Sequence, residues 1–469
     1  MNFYTKICIA YFACMPLLTQ AQQQTEYPND YLSPAFHAGR RTAVKAQMPK
    51  NSVAIFFASQ TRNRSNDVDF IYAQNKNFYY LTGLVEPNSM LLLYKEPVTI
   101  LGKTGTEFLF VQPRNPSREM WTGKILGAEG AKTQLHFEHV FTNDQYKFNT
   151  LELTQIDSVM TSFYTENVIP KYFGRGGADA LSRMAQLVDS AITTAKKPNA
   201  ARTIGTIVRN LRAVKQSEEI VLIEKAVIMS TEGHNAVMKA IKPGMTEYQA
   251  QAIMEYYFKK NGSEYAGYPS INGSAENSCV LHYETNTRLM KSGDLLLSDC
   301  AAEYHGYSAD VTRTIPVNGK FSPEQKLIYE LVLAAQDSAM AACKPGVASS
   351  ETQRIALRVI AKGLVQLGII ASETDARKYF PHGTSHGMGL DVHDPNPPTM
   401  VPGAVFTIEP GIYIPSNSNC DKKWWGIGVR IEDDILITEN GYKNLSAASP
   451  RTVAEVEKMV KEKSIFDKK

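Results

Sequence analysis

Carboxylates set inside apolar strands are the feature that most restricts this chain. Asp299 closes the run "DLLLSD", Glu409 lies within "VFTIEP", and Glu432 lies within "GVRIEDD". Asp310 follows Asp299 by eleven positions, and Gly306 between them supplies a turn, so the two aspartates can face each other across a hairpin. An ionised carboxylate taken out of water without a partner is costly enough to take up a proton or recruit a cation. One such acid is explained by an ion pair or by a strand end that faces water. Four of them, with a histidine-rich stretch in between, ask for another explanation.

That stretch, "HGTSHGMGLDVHD", runs from His382 to Asp394 and holds three of the chain's nine histidines. His382 and His386 are four apart, the spacing of two ligands on one helical face. Gly383, Gly387 and Gly389 oppose a helix at roughly 1 kcal/mol each relative to alanine, and no Glu follows His382 as the helical zinc-protease signature requires. Spacing alone leaves open whether one, all or none of the three histidines binds metal. Charge narrows the options: four carboxylates and a neutral imidazole carry about −4, which two divalent ions cancel. Oxygen-rich ligation favours Mn²⁺, Co²⁺ or Fe²⁺ over Zn²⁺. Two such ions roughly 3.5 Å apart share a water and lower its pKa towards neutrality, which makes a nucleophile for hydrolysis.

Short apolar runs such as "SVAIFFAS", "SMLLLYKE" and "EFLFVQP" alternate with turns from about 51 to 112, an α/β pattern. Residues 178–196 carry a helical period. In the second half, "TEYQ" at 246–249, "SPEQ" at 322–325 and "SETQ" at 350–353 read as capping boxes that start helices. A chain of 469 residues is long for one core, so two domains are expected. A net charge of +3 excludes nucleic-acid or membrane binding by bulk electrostatics.

Five stretches, "GYPSINGSAENSCVLHY", "SDCAAEYHGYSADVTRT", "HGTSHGMGLDVHD", "TIEPGIY" and "GVRIEDD", closely resemble the aminopeptidase P and prolidase branch of the pita-bread metallopeptidases. They fall in the family's order. Upstream, "YAQNKNFYYLTGLVEPNSMLLL" resembles that branch's amino-terminal domain, and "RAVKQSEEI" at 212–220 resembles the start of its catalytic domain. The resemblance implies an α/β amino-terminal domain over 27–175, linking helices over 176–212, and a pita-bread (pseudo-twofold α+β) catalytic domain over 213–462. It implies two divalent ions, Mn²⁺ first among them. Asp299 would be a terminal ligand of one metal, Asp310 and Glu432 would bridge both, and His386 and Glu409 would complete the second. Of the clustered histidines, then, only His386 would bind metal. His393 and His282 match histidines that contact the peptide and can move protons. His382, Tyr268 and Arg430 match residues that orient the ligands.

The activity so implied is removal of the first residue from peptides whose second residue is proline. Glu409 would accept and return the proton. Prolidase, which takes only dipeptides, is the rival, and "NFYYLTGLVEP" favours aminopeptidase P. A metal-free pita-bread module that only binds peptides is the alternative of another class, and the intact ligand set argues against it.

Lys6, the apolar "ICIAYFACMPLL" and the small-x-small pair Thr19 and Ala21 read as a secretory signal over residues 1–21, cleaved near Ala21. That reading places the protein in the periplasm or outside the cell, with no stable membrane span; a homo-oligomer is expected separately. Four cysteines then remain, with no CxxC pair for zinc or redox work. Cys279 and Cys300 are expected to be buried thiols. His37, His136, His139 and His234 are expected at the surface or satisfied, and His305 exposed at its turn. Trp424 and Trp425 are candidates for the substrate cleft or the core, and Trp121 for core packing or for a neighbouring subunit's cleft.

Overall fold

In the computed structural model, described for residues 30–161 and 179–467, the first structural unit is a mixed sheet. Strand β1 (Ser52–Phe57) is followed by a small hairpin, β2 (Asn63–Ser65) and β3 (Val68–Asp69). Then come β4 (Met90–Ile100), β5 (Lys103–Val111), β6 (Val140–Thr142) and β7 (Ser158–Thr161). The five-stranded sheet has the order β6-β5-β4-β1-β7, antiparallel in its centre and parallel at both edges. Both faces of β1 are buried. Ala54 and Phe56 join one core, while Val53, Ile55 and Phe57 join another. Burial on both sides explains why "SVAIFF" reads as a continuous apolar run rather than an alternating one. Helices α1 (Pro34–Gln47) and α2 (Lys76–Thr82) pack together, and α3 (Pro116–Thr122) and α4 (Gly127–Leu135) lie between β5 and β6 in the chain.

Two helices, α5 (Ala180–Ala195) and α6 (Ala201–Ala213), lead into the second half. There α7 (Ser217–Ala240) and α8 (Glu247–Lys260) precede β8 (Tyr265–Ala266), β9 (Ile271–Ser274), β10 (Leu295–Asp299), β11 (Ala302–Tyr304), β12 (Tyr307–Ser308) and β13 (Thr312–Pro316). A second passage repeats the plan: α9 (Pro323–Met340) and α10 (Glu351–Gln366), then β14 (Val405–Ile408), β15 (Gly411–Ile414), β16 (Ile427–Arg430), β17 (Asp433–Thr438) and β18 (Gly441–Asn444). Two helices followed by strands, twice over, is the pseudo-twofold arrangement expected. From Leu32 to Lys469 the chain forms one compact unit.

Capping boxes at Thr246 and Ser322 start α8 and α9. The third one fails. Ser350 is itself helical and makes no side-chain cap, and Gln353 turns away to accept from the Thr384 amide (2.6 Å) and hydroxyl (3.1 Å). The helix gives up a cap and gains a hold on the histidine-rich loop. The signal reading of residues 1–21 lies outside the described residues, as do positions 162–178. Among the described residues no helix is long and apolar enough to cross a membrane.

Candidate metal centre

The four acids meet because two strand systems converge. Asp299 ends β10, in register with Ile271 on β9 and Thr312 on β13. Between Asp299 and Asp310 the chain turns at His305 and Gly306, both at positive φ (49° and 88°), and β11 pairs with β12 across that turn. Two consecutive left-handed residues make the tight turn that suits a two-residue hairpin loop, and the second one favours glycine. The Tyr268 hydroxyl then reaches both aspartates, at 2.5 Å from Asp299 and 2.7 Å from Asp310. From the other system, Glu432 follows β16, and its amide donates to the Thr312 carbonyl while its carboxylate accepts from the Thr312 hydroxyl (2.6 Å). Thr312 thereby joins the two halves at the centre.

A cleft of about 490 Å³ opens here, lined by Tyr268, His282, Asp299, Asp310, His382, His386, His393, Glu409, Arg430 and Glu432. All ten residues singled out from the sequence thus share one cavity. Asp310, His386 and Glu432 each offer a ligand atom within 4.8 Å of the others. His386 Nε2 lies 3.3 Å from Asp310 and 3.6 Å from Glu409. Arg430 donates to Asp299 and to the Tyr413 hydroxyl (2.8 Å), and that hydroxyl lies 2.8 Å from His382 Nε2. The His386 and His393 rings stack with centroids 3.8 Å apart.

Electrostatics make the cluster hungry for positive charge. Burial, and then the charges of Asp310, Glu409 and Asp299, hold the Glu432 carboxyl well above the usual range. Burial lifts Glu409 to about 8 although one edge of it opens to the cleft; His386 opposes the rise and Asp310 adds to it. Asp299 is raised by burial against the pull of Arg430. Burial lowers the His386 imidazole, but the hydrogen bond and charge of Asp310 outweigh it and raise that ring to about 9. Burial and Arg430 depress His382 to about 4. Carboxylates that would otherwise hold protons, crowded round one imidazole, are a donor set that fits divalent cations.

Several groups fall elsewhere than the sequence indicated. His305 is not exposed: only 3% of its surface is accessible, and its Nδ1 lies 2.6 Å from Glu264. The turn is covered because Lys76 of α2 pairs with Glu303 and donates to the Gly306 carbonyl. Cys300 is fully buried as expected, but Cys279 is only half-buried. Trp424 packs in the core and Trp425 donates to Ser418, both outside the cleft. Trp121 is 87% exposed beside the equally bare Met120, which removes core packing as its reason. His37 and His139 are satisfied by backbone carbonyls, His234 is buried with Nε2 against two carbonyls and Nδ1 without a partner among the described residues, and His136 is exposed. Sequence reasoning missed Tyr413, Thr312 and Gln353. Tyr413 and Thr312 stood in view within "TIEPGIY" and "SDCAAEYHGYSADVTRT", whereas Gln353 was marked only as a helix cap.

Fold and site together define a metallopeptidase, and residues 221–439 match metallopeptidase family M24 while residues 37–159 match the aminopeptidase P amino-terminal domain. A Xaa-Pro aminopeptidase of Escherichia coli is 33% identical over 443 residues, covering 90% of this chain and 96% of the relative. Human Xaa-Pro aminopeptidase 3 is 31% identical, covering 90% and 83%. Among solved structures, Pseudomonas aeruginosa aminopeptidase PepP superposes with a TM-score of 0.81 at 34% identity, covering 92% of this chain and 98% of that one. A zinc-substituted E. coli aminopeptidase P in complex with product gives 0.82 at 32%, with the same coverage. The chain belongs to the aminopeptidase P family of M24 metallopeptidases, and is a metal-dependent exopeptidase.

Proposed function

We propose that this exopeptidase removes the amino-terminal residue from peptides with proline in second place. The observation that carries the reading is the meeting of four carboxylates and one imidazole in a single cleft, with His282 and His393 also on its lining. In this reading Asp299 would hold one ion, Asp310 and Glu432 would serve both, and His386 and Glu409 would hold the second. Mn²⁺ suits this oxygen-rich set. Divalent ions bound there lower the pKa of water and polarise the scissile carbonyl.

The chain's own groups supply positioning and proton movement. Arg430 and Tyr268 fix the oxygens of Asp299 and leave its remaining lone pairs directed by their geometry. Glu409 takes the proton released in the attack. A prolyl bond has no N–H, so a proton must reach the ring nitrogen as it leaves, and Glu409 returns it there. His393 and His282 hydrogen-bond the bound peptide. The mature chain is read as starting after Ala21, exported and homo-oligomeric; the amino-terminal mass of secreted protein and its mass in solution test these points.

Purified mature chain with Mn²⁺ is offered a Gly-Pro dipeptide and an X-Pro-X tripeptide side by side. Release of the first residue from the tripeptide is the expected result. Cleavage of the dipeptide alone would make the protein a prolidase.

A further inference from the structure

The motif "RAVKQSEEI" leaves two cations without an assigned role, Arg212 at the end of α6 and Lys215 just before α7. Both are buried, with side chains 6% and 0% accessible. Both point at the histidine-rich loop. The Arg212 Nη2 group donates to Asp391 (2.5 Å) and to Asp394, and Lys215 donates to the other oxygen of Asp394 at 2.9 Å. The set is neutral, two cations against two carboxylates, and Asp394 is buried with them. Asp391 and Asp394 bracket His393 in the chain.

The loop they grip is closed on itself. The Asp394 amide donates to the Gly387 carbonyl (2.8 Å), so the segment leaves and rejoins the same point, with His386 at one end and His393 at the other. That closure is what stacks the two rings. There is no slack in it. A β-carbon on Gly387 would lie 2.4 Å from the Asp394 carbonyl oxygen, and one on Gly389 would lie 2.5 Å from the Asp394 carboxylate and 2.8 Å from Lys215 Cε. Glycine is required because the clamp occupies the space a side chain would need.

We propose that Arg212 and Lys215, through Asp394, are positioning residues that hold His393 stacked on His386 and facing the substrate. The inference rests on the reading of His393 as a substrate-side histidine. A buried carboxylate with two charge-assisted partners has one arrangement, and a catalytic group displaced by about 1 Å loses up to about a hundredfold in rate.

The test uses full-length, Mn²⁺-loaded enzyme and an X-Pro-X tripeptide. Arg212→Lys keeps the charge but loses the fork that holds the two aspartates on Nη2 and Asn77 on Nη1. It should lower kcat by about tenfold, with KM and bound metal within about twofold of wild type. In a His393→Ala background the same change should cost nothing further, because the histidine it positions is gone. Asp391→Asn, at a half-exposed carboxylate, serves the same comparison if Arg212→Lys does not fold, and about a threefold loss is expected there. Losses that multiply undiminished in the His393→Ala background, or a fall in bound metal matching the fall in kcat, overturn the clamp and leave the peptidase reading intact. If His393→Ala itself turns over like wild type, the role given to His393 fails and this inference fails with it.

Discussion

The two sides of the centre are built by opposite means. Asp299 and Asp310 stand on a hydrogen-bonded ladder: Asp299 is in register on both flanks, and one tyrosine hydroxyl ties it to Asp310. His386, His393 and Glu409 stand on or beside a loop with almost no regular structure between Phe380 and Ala404. The ladder fixes its acids through neighbours in sequence and register. The loop is held by two backbone bonds to β14, from the Thr407 amide to the His386 carbonyl and from the Met388 amide to the Val405 carbonyl, and by side chains outside it, Arg212 and Lys215 at one end and Gln353 at the other. Thr384 is the hinge between them: its amide takes Gln353, and its carbonyl accepts from the Glu409 amide (2.8 Å). The two aspartates, which repel each other, get the rigid side. Glu409 and the two histidines get the side whose position depends more on side-chain contacts.

Breaking the ladder side should have the largest effect. Asp310→Asn and Glu432→Gln each remove a charge proposed to be shared by two ions, and each should abolish turnover while far-UV circular dichroism stays native. Activity within about tenfold of wild type at saturating Mn²⁺ would sink the shared-ligand assignment. Chelation probes the same side without mutation. It should inactivate the enzyme without unfolding it, because proton uptake can replace the ions' charge on the carboxyls that burial holds high. Mn²⁺ or Co²⁺ should restore activity. Full activity in protein shown by elemental analysis to hold no metal would exclude the mechanism.

The next prediction divides the loop side. His386→Ala should lower bound metal, because its imidazole lies against both Asp310 and Glu409. His393→Ala should keep both metals and lose most turnover. His382→Ala should be milder, because that ring lies 2.8 Å from the Tyr413 hydroxyl and acts through Arg430. Metal counted per subunit beside tripeptide kinetics checks the order. Loss of a metal from His393→Ala with two retained in His386→Ala would reverse it.

The same contrast explains what was legible in the sequence. The acids announced themselves because a carboxylate in an apolar strand is a local anomaly, and their meeting follows from strand pairing. The α/β pattern from about 51 to 112 and two of three capping boxes were likewise local. What could not be read are contacts spanning long separations. Gln353 looked like a capping residue and serves Thr384, 31 positions away. Arg212 meets Asp394 182 positions on. His305 looked like an exposed turn, and is buried with its ring against Glu264, 41 positions back, while Lys76 of α2 bonds to the turn beside it. A turn's chemistry is local, but whether something covers it is decided by the tertiary fold.

Gln353→Ala should therefore act on the loop side alone. It frees the Thr384 amide and hydroxyl at the base of the loop and leaves every proposed ligand in place. We expect about tenfold lower kcat with unchanged metal content. An unchanged kcat would show that the Glu409–Thr384 backbone contact holds the loop without it.

The smallest effect is expected where the first half of the chain touches the clamp. Asn77 lies in α2, and its side-chain oxygen accepts from Arg212 Nη1 at 2.7 Å, a contact reaching across 135 positions. Arg212 keeps two carboxylates when this amide is removed, and charge-assisted bonds are roughly twice as strong as neutral ones. Asn77 is only half-buried, so water can take its place on the guanidinium. Asn77→Ala should thus cost about 1 kcal/mol of stability, read as a lowered Tm, and about twofold in kcat. A fall in kcat as large as that of Arg212→Lys would mean that the first half, and not the two aspartates, sets where Arg212 points. The loop side would then be governed from α2, in the first half of the chain, and the contrast between the two sides of the centre would become one between the two halves of the chain.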